Sequence, residues 1–215
     1  MKTYLVTKEH IQAYLLDYWK RVKEFAEKDG GTLNDLRWVM LGESGRVLLQ
    51  TLQETLGHTV GDPNLLIMAK YNREAKSVDL WTLKEIEELR KKTSGANNDS
   101  TVVSRDYVRE TLKNKRAIIF DSSIHSGRSM LALVKEVQKY APTSVASYSL
   151  VLKRNSDFIP NHFGFLIHDW DRALFLLDAL PNNRMTFDGV FCRITADTCC
   201  NIGFPGWLST SSQSG

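Results

Sequence analysis

Apolar residues recur near the start of the chain at steps of three and four: Ile11, Tyr14, Leu15, Tyr18, Val22 and Phe25. That spacing lines one face of a helix and predicts an amphipathic helix over residues 8–28. Thr7, followed by Glu9 and His10, is suited to cap its start, and Gly30-Gly31 ends it. Beyond this point the pattern changes to short apolar runs, at residues 37–41, 65–69, 117–120, 146–152 and 163–167. Such runs, without polar alternation, predict strands buried on both faces. Helical spacing returns at residues 47–56, closed by Gly57, and at residues 130–140. The polar stretch 71–106 predicts one helix near residues 83–91 and a loop over 93–100. Buried strands alternating with helices predict an α/β fold, a mostly parallel twisted sheet flanked by helices. The expected organisation is an N-terminal helical segment (1–32), a main domain (33–208) and a disordered low-complexity tail (209–215).

The bulk numbers narrow the picture further. The 215 residues, 42% hydrophobic and 25% charged, suit one domain with a sizeable core. A net charge of +3 is too mild to require nucleic acid, and a phosphate-rich small molecule accounts for it equally well. No apolar run approaches the roughly 18 residues that span a bilayer, and no signal-peptide pattern opens the chain. Cys192, Cys199 and Cys200 lack the spacing of a disulfide framework or a zinc site, so a reducing cytoplasm is the expected location.

The candidate chemistry lies at residues 117–130. Four apolar residues run into Asp121, then a polar loop, then a helix-like stretch. Ser126, Gly127, Arg128 and Ser129 supply hydroxyls, a guanidinium and helix-start N–H groups, which suit a phosphate monoester. Asp121, at the strand end, stands where sugar hydroxyls or a metal ion would lie beside that phosphate. Gly42-Glu43-Ser44-Gly45-Arg46 predicts a turn after the first buried run, on the same edge of the sheet.

The order apolar strand, acid, variable residues, Ser126-Gly127-Arg128-Ser129 resembles the type I phosphoribosyltransferase signature, in a divergent form. Downstream, Lys153-Arg154, the stretch from Phe158 to Phe165 and Leu176-Leu177-Asp178 look closest to the hypoxanthine-guanine branch. The resemblance covers residues 33–194. It implies transfer of 5-phosphoribosyl between phosphoribosyl pyrophosphate (PRPP) and a purine-like base, as in purine salvage, with Mg²⁺ as cofactor. It also implies roles. Asp121 and Ser122 would take the ribose hydroxyls, residues 126–129 the 5′-phosphate, and residues 42–46 the pyrophosphate. Asp178 would serve the metal and Lys153 a carbonyl of the base. Trp170 would stack on the base or pack against Pro181 or a partner subunit. Many relatives are dimers, so a homodimer is a further expectation.

The sequence departs from that signature at specific places. Ser122 replaces the second acid, and His125 replaces the acid before the phosphate loop that often acts as general base. Histidine titrates near neutrality and can still accept a proton, so His125 is the candidate base beside Asp121. Two alternatives stay open: a nucleotide- or PRPP-binding regulatory module with weak or no turnover, and a ribosyl hydrolase that cleaves nucleotides with water.

Overall fold

The computed structural model describes residues 3–82, 105–175, 184–187, 190–193 and 202–203. The first long element is helix α1, Lys8–Glu27, whose Ile11, Tyr14, Leu15, Tyr18, Val22 and Ala26 are buried. The step of three and four thus produced the expected helix and its inward face. Its start is held by the Thr7 hydroxyl, 3.1 Å from the His10 ring. Ahead of it lies a strand that the sequence pattern did not disclose, β1 (Thr3–Val6).

The buried runs form β2 (Leu36–Leu41), β3 (Ile67–Asn72), β5 (Arg116–Ile124), β6 (Ser144–Lys153) and β7 (His162–Ile167), with β4 (Ser77–Thr82) at the edge. The sheet order is β4-β3-β2-β5-β6-β7. Every neighbouring pair is parallel except β3–β4, an antiparallel hairpin. The mostly parallel sheet is as expected. The hairpin is a correction: residues 77–82 alternate buried and exposed positions, but the surrounding polar residues masked that period of two. The helix and loop expected over residues 83–91 and 93–100 lie outside the described residues, as does the tail.

Because successive strand residues face opposite sides, each strand feeds two cores. On one side Trp38, Met40, Ile118, Phe120 and Tyr148 pack against α1 and α2 (Gly42–Leu56). On the other, Val39, Ala117 and Ile119 pack against α3 (Arg105–Leu112) and α4 (Arg128–Gln138). Each fully buried aliphatic side chain contributes about 1.5–3 kcal/mol. Tyr18 joins α1 to the sheet, its ring 4.8 Å from Phe120 and 4.6 Å from Tyr148. Gly164 lets β7 lie close to β6 and to Tyr14 of α1, because a Cβ there would stand 2.6 Å from the Leu150 carbonyl oxygen and 3.0 Å from the Tyr14 ring.

A second sheet has the order β10-β9-β8-β1-β11, with β8 Arg172–Phe175, β9 Arg184–Phe187, β10 Val190–Arg193 and β11 Ile202–Gly203. The sequence pattern did not predict it. Strand β1 pairs in parallel with β8 and β11, from the far end of the chain. Among the described residues no helix is long and apolar enough to cross a membrane.

Candidate functional site

Two helices begin at the carboxyl edge of the central strands. Helix α2 starts at Gly42, directly after β2, where a separate turn over residues 42–46 was expected. Gly42, at φ 68°, turns the chain in one residue, so the helix needs no longer loop. Strand β5 continues to Ile124, four residues past its apolar run, because Asp121, Ser123 and Ile124 pair with Ser149, Val151 and Leu152 of β6. The loop before α4 is therefore short, His125 to Gly127. Gly127 caps α4 in the left-handed region, at φ 80°.

The loop is held from below. Ser126 accepts a hydrogen bond from the Asp157 backbone N–H at 3.0 Å, and Gly127 accepts one from Leu131 at 2.8 Å. A Cβ on Gly127 would stand 2.6 Å from that of Phe158, so nothing larger fits. The N–H groups of Arg128, Ser129 and Met130 open the helix and lack intrahelical partners by helix geometry. They are the ready-made anion contacts of a helix start.

Asp121 stands between the two helix starts. Its carboxylate accepts from the Ser122 backbone N–H at 2.7 Å and from the Ser44 hydroxyl at 3.2 Å. Burial pushes its pKa up to about 7, against which those hydrogen bonds act only in part. An open cleft of about 1450 Å³ lies over this edge. Of the expected site residues, Gly42, Ser44, Asp121, His125, Ser126, Gly127, Arg128 and Ser129 line it.

Others lie elsewhere. Ser122 is 3% exposed and its hydroxyl has no partner among the described residues. Strand alternation turns it to the opposite face from Asp121 and Ser123, so Ser123 lines the cleft in its place. Gly45 is buried in the first turn of α2 and Arg46 is exposed there. Glu43 occupies the second position of α2. Lys153 ends β6 at the same sheet edge but does not line the cleft. It is 5% exposed, and its Nζ donates to the backbone carbonyls of Asp169, at 3.2 Å, and Asp171. Trp170 is 62% exposed and stacks on His168 at 4.8 Å. Asp178, expected at the metal, lies outside the described residues. The cleft also has a wall that was not anticipated, Lys70, Arg73 and Lys76 from the β3–β4 hairpin. A cation at every third position was the available signal.

No protein-family model matches the sequence, and no curated protein does. Solved structures do match. Purine phosphoribosyltransferase from Pyrococcus horikoshii Ot3 is 16% identical, with a TM-score of 0.53 over 84% of this chain and 97% of that one. A hypoxanthine phosphoribosyltransferase from Staphylococcus aureus is 13% identical, with a TM-score of 0.51 over 75% and 76%. A hypothetical protein from Neisseria gonorrhoeae with bound ppGpp is 18% identical, with a TM-score of 0.53 over 84% and 92%. The chain thus has the type I phosphoribosyltransferase fold.

Proposed function

We propose that this chain is a phosphoribosyltransferase-like enzyme that moves 5-phosphoribosyl between PRPP and a purine-like base. The observation that carries the reading is the meeting of two helix starts at Asp121, beneath one cleft. The 5′-phosphate would sit on the N–H groups and hydroxyls of residues 126–129, with the Arg128 guanidinium above it. Asp121 would accept the ribose hydroxyls. The start of α2, with Ser44, would face the pyrophosphate. Held this way, the ribose presents its anomeric carbon between leaving group and incoming base, and the barrier falls by positioning and by stabilising charge on the leaving group. His125, which lines the cleft, would take the proton from the attacking base nitrogen. The base would lie toward the ends of β6 and β7. Lys153, whose Nζ donates to the backbone carbonyls of Asp169 and Asp171, would turn a donor toward a carbonyl of the base, and Trp170 would stack on the base's face.

The residues present fit magnesium carried by the substrate. Mg²⁺ keeps several waters and takes one or two carboxylates plus substrate phosphates. Asp121 offers such a carboxylate, and a cation beside it would favour the ionised form against the burial that raises its pKa. When bound, the ion would neutralise the leaving pyrophosphate.

Ser122 favours a second reading. Position 122 is turned from the cleft and Ser123, which lines it, also carries no carboxylate, so a nucleotide-binding module with little turnover is the alternative, and the Neisseria neighbour carries ppGpp. Incubation with PRPP, Mg²⁺ and a panel of purines separates the two. Nucleotide and pyrophosphate formed together support transfer. Tight PRPP binding without product supports the module, and free base released from a nucleotide supports hydrolysis.

A further inference from the structure

The cleft continues past the phosphate loop. Beyond Arg128 it follows one side of α4, along Ala132, Lys135 and Lys139, with Arg73 and Lys76 of the β3–β4 hairpin also in its lining. Positions 128, 132, 135 and 139 are three or four apart and so share one helix face. From Arg128 to Lys139 that face runs about 16 Å, at 1.5 Å per residue. The acid on this stretch, Glu136, is paired with Lys139 at 2.6 Å. The volume, about 1450 Å³, exceeds the roughly 300–1,000 Å³ that encloses an ordinary small ligand. A single phosphoribosyl group uses the end of this trench at Asp121 and leaves a cationic row unused.

We propose that the trench binds a row of further phosphates continuing from the 5′-phosphate, so that the preferred ligand is polyphosphorylated on its 5′ side. This rests on the reading of residues 126–129 as the 5′-phosphate seat. Negative charge at successive phosphates matches cations spaced along a helix face and a facing hairpin. Each exposed contact is worth little alone, and a row of them adds up and weakens with salt. The shared chemistry has two sources, a nucleoside 5′-polyphosphate and the backbone of a short oligonucleotide.

The test is titration calorimetry on the full chain with ribose 5-phosphate, GMP, GTP, inorganic tripolyphosphate and 5′-phosphorylated tetrathymidylate. It is repeated on Lys135→Glu/Lys139→Glu and Arg73→Glu/Lys76→Glu. GTP and tripolyphosphate should bind about tenfold tighter than GMP and ribose 5-phosphate at low salt. Both charge reversals should remove that excess and leave ribose 5-phosphate within about twofold. Thermal unfolding verifies that the variants fold, and Lys135→Gln/Lys139→Gln should give a smaller loss in the same direction. Equal affinity for GMP and GTP, or an excess that survives both reversals, overturns the trench. If ribose 5-phosphate fails to bind while tripolyphosphate binding still responds to the reversals, the phosphate-seat reading falls and the trench stands. Tetrathymidylate binding tighter than GTP assigns the row to an oligonucleotide, and weaker binding assigns it to a nucleotide.

Discussion

The Ser44 hydroxyl donates to the Asp121 carboxylate at 3.2 Å, across 77 positions of sequence. Gly45, next to Ser44, makes this possible. A Cβ on it would stand 2.5 Å from the Phe120 carbonyl oxygen, so only a bare Cα lets α2 sit this low over β5.

Gly45→Ala therefore should push the start of α2 off the sheet. Overpacking of this kind costs about 1–3 kcal/mol. In a chain of this length that is a fall in Tm of several degrees, at about 2–4 °C per kcal/mol. Protection by ribose 5-phosphate should shrink with it. Differential scanning calorimetry with and without the ligand measures both, and an unchanged Tm would disprove the close approach.

Asp121 makes stability depend on pH in a defined direction. Its folded pKa, about 7, lies above the carboxylate value of 3.8, so the folded state holds the extra proton. Stability from this group is full below about pH 4 and declines as pH rises toward 7. Asp121→Asn removes that decline. The variant should match the parent near pH 4, exceed its Tm by several degrees at pH 8, and bind PRPP with Mg²⁺ far more weakly. Equal Tm–pH curves for the two proteins would refute it.

Gly127→Val has two faults at once. The left-handed φ of 80° strains any β-branched residue, and the added carbons meet Phe158 and Ser156. Thermal protection by ribose 5-phosphate should vanish. If protection persists in the variant, residues 126–129 do not hold the phosphate.

Ser122 and Ser123 should respond in opposite ways to the same substitution. Ser122→Asp buries a charge where the hydroxyl already lacks a partner, and should destabilise by about 3 kcal/mol or more. Ser123→Asp faces the cleft and should strengthen Mg²⁺-dependent PRPP binding several-fold. Chemical denaturation and calorimetry read the pair, and a stable, tighter-binding Ser122→Asp would reverse the assignment of faces.

The strand–loop–helix order at residues 117–130 was legible because its parts are contiguous: the apolar end of β5, Asp121, and Ser126 to Ser129 before an amphipathic helix. The first helix and the runs of the parallel sheet were legible for the same reason, since period and run length are local properties. The hairpin at residues 77–82 was not, because its alternation is short and set in a polar stretch.

What the sequence by itself determined is the set of elements with a local period, and the chemical groups offered at the end of β5. Tertiary structure alone decided which of those groups share a space. Strand parity turned Ser122 away and Ser123 inward, and two backbone carbonyls drew in the Lys153 ammonium. The β3–β4 hairpin brought Arg73 and Lys76 into the cleft of a helix that begins some fifty residues later. Parity, crossover and close approach depend on where the rest of the chain lies, and no window of neighbouring residues encodes them.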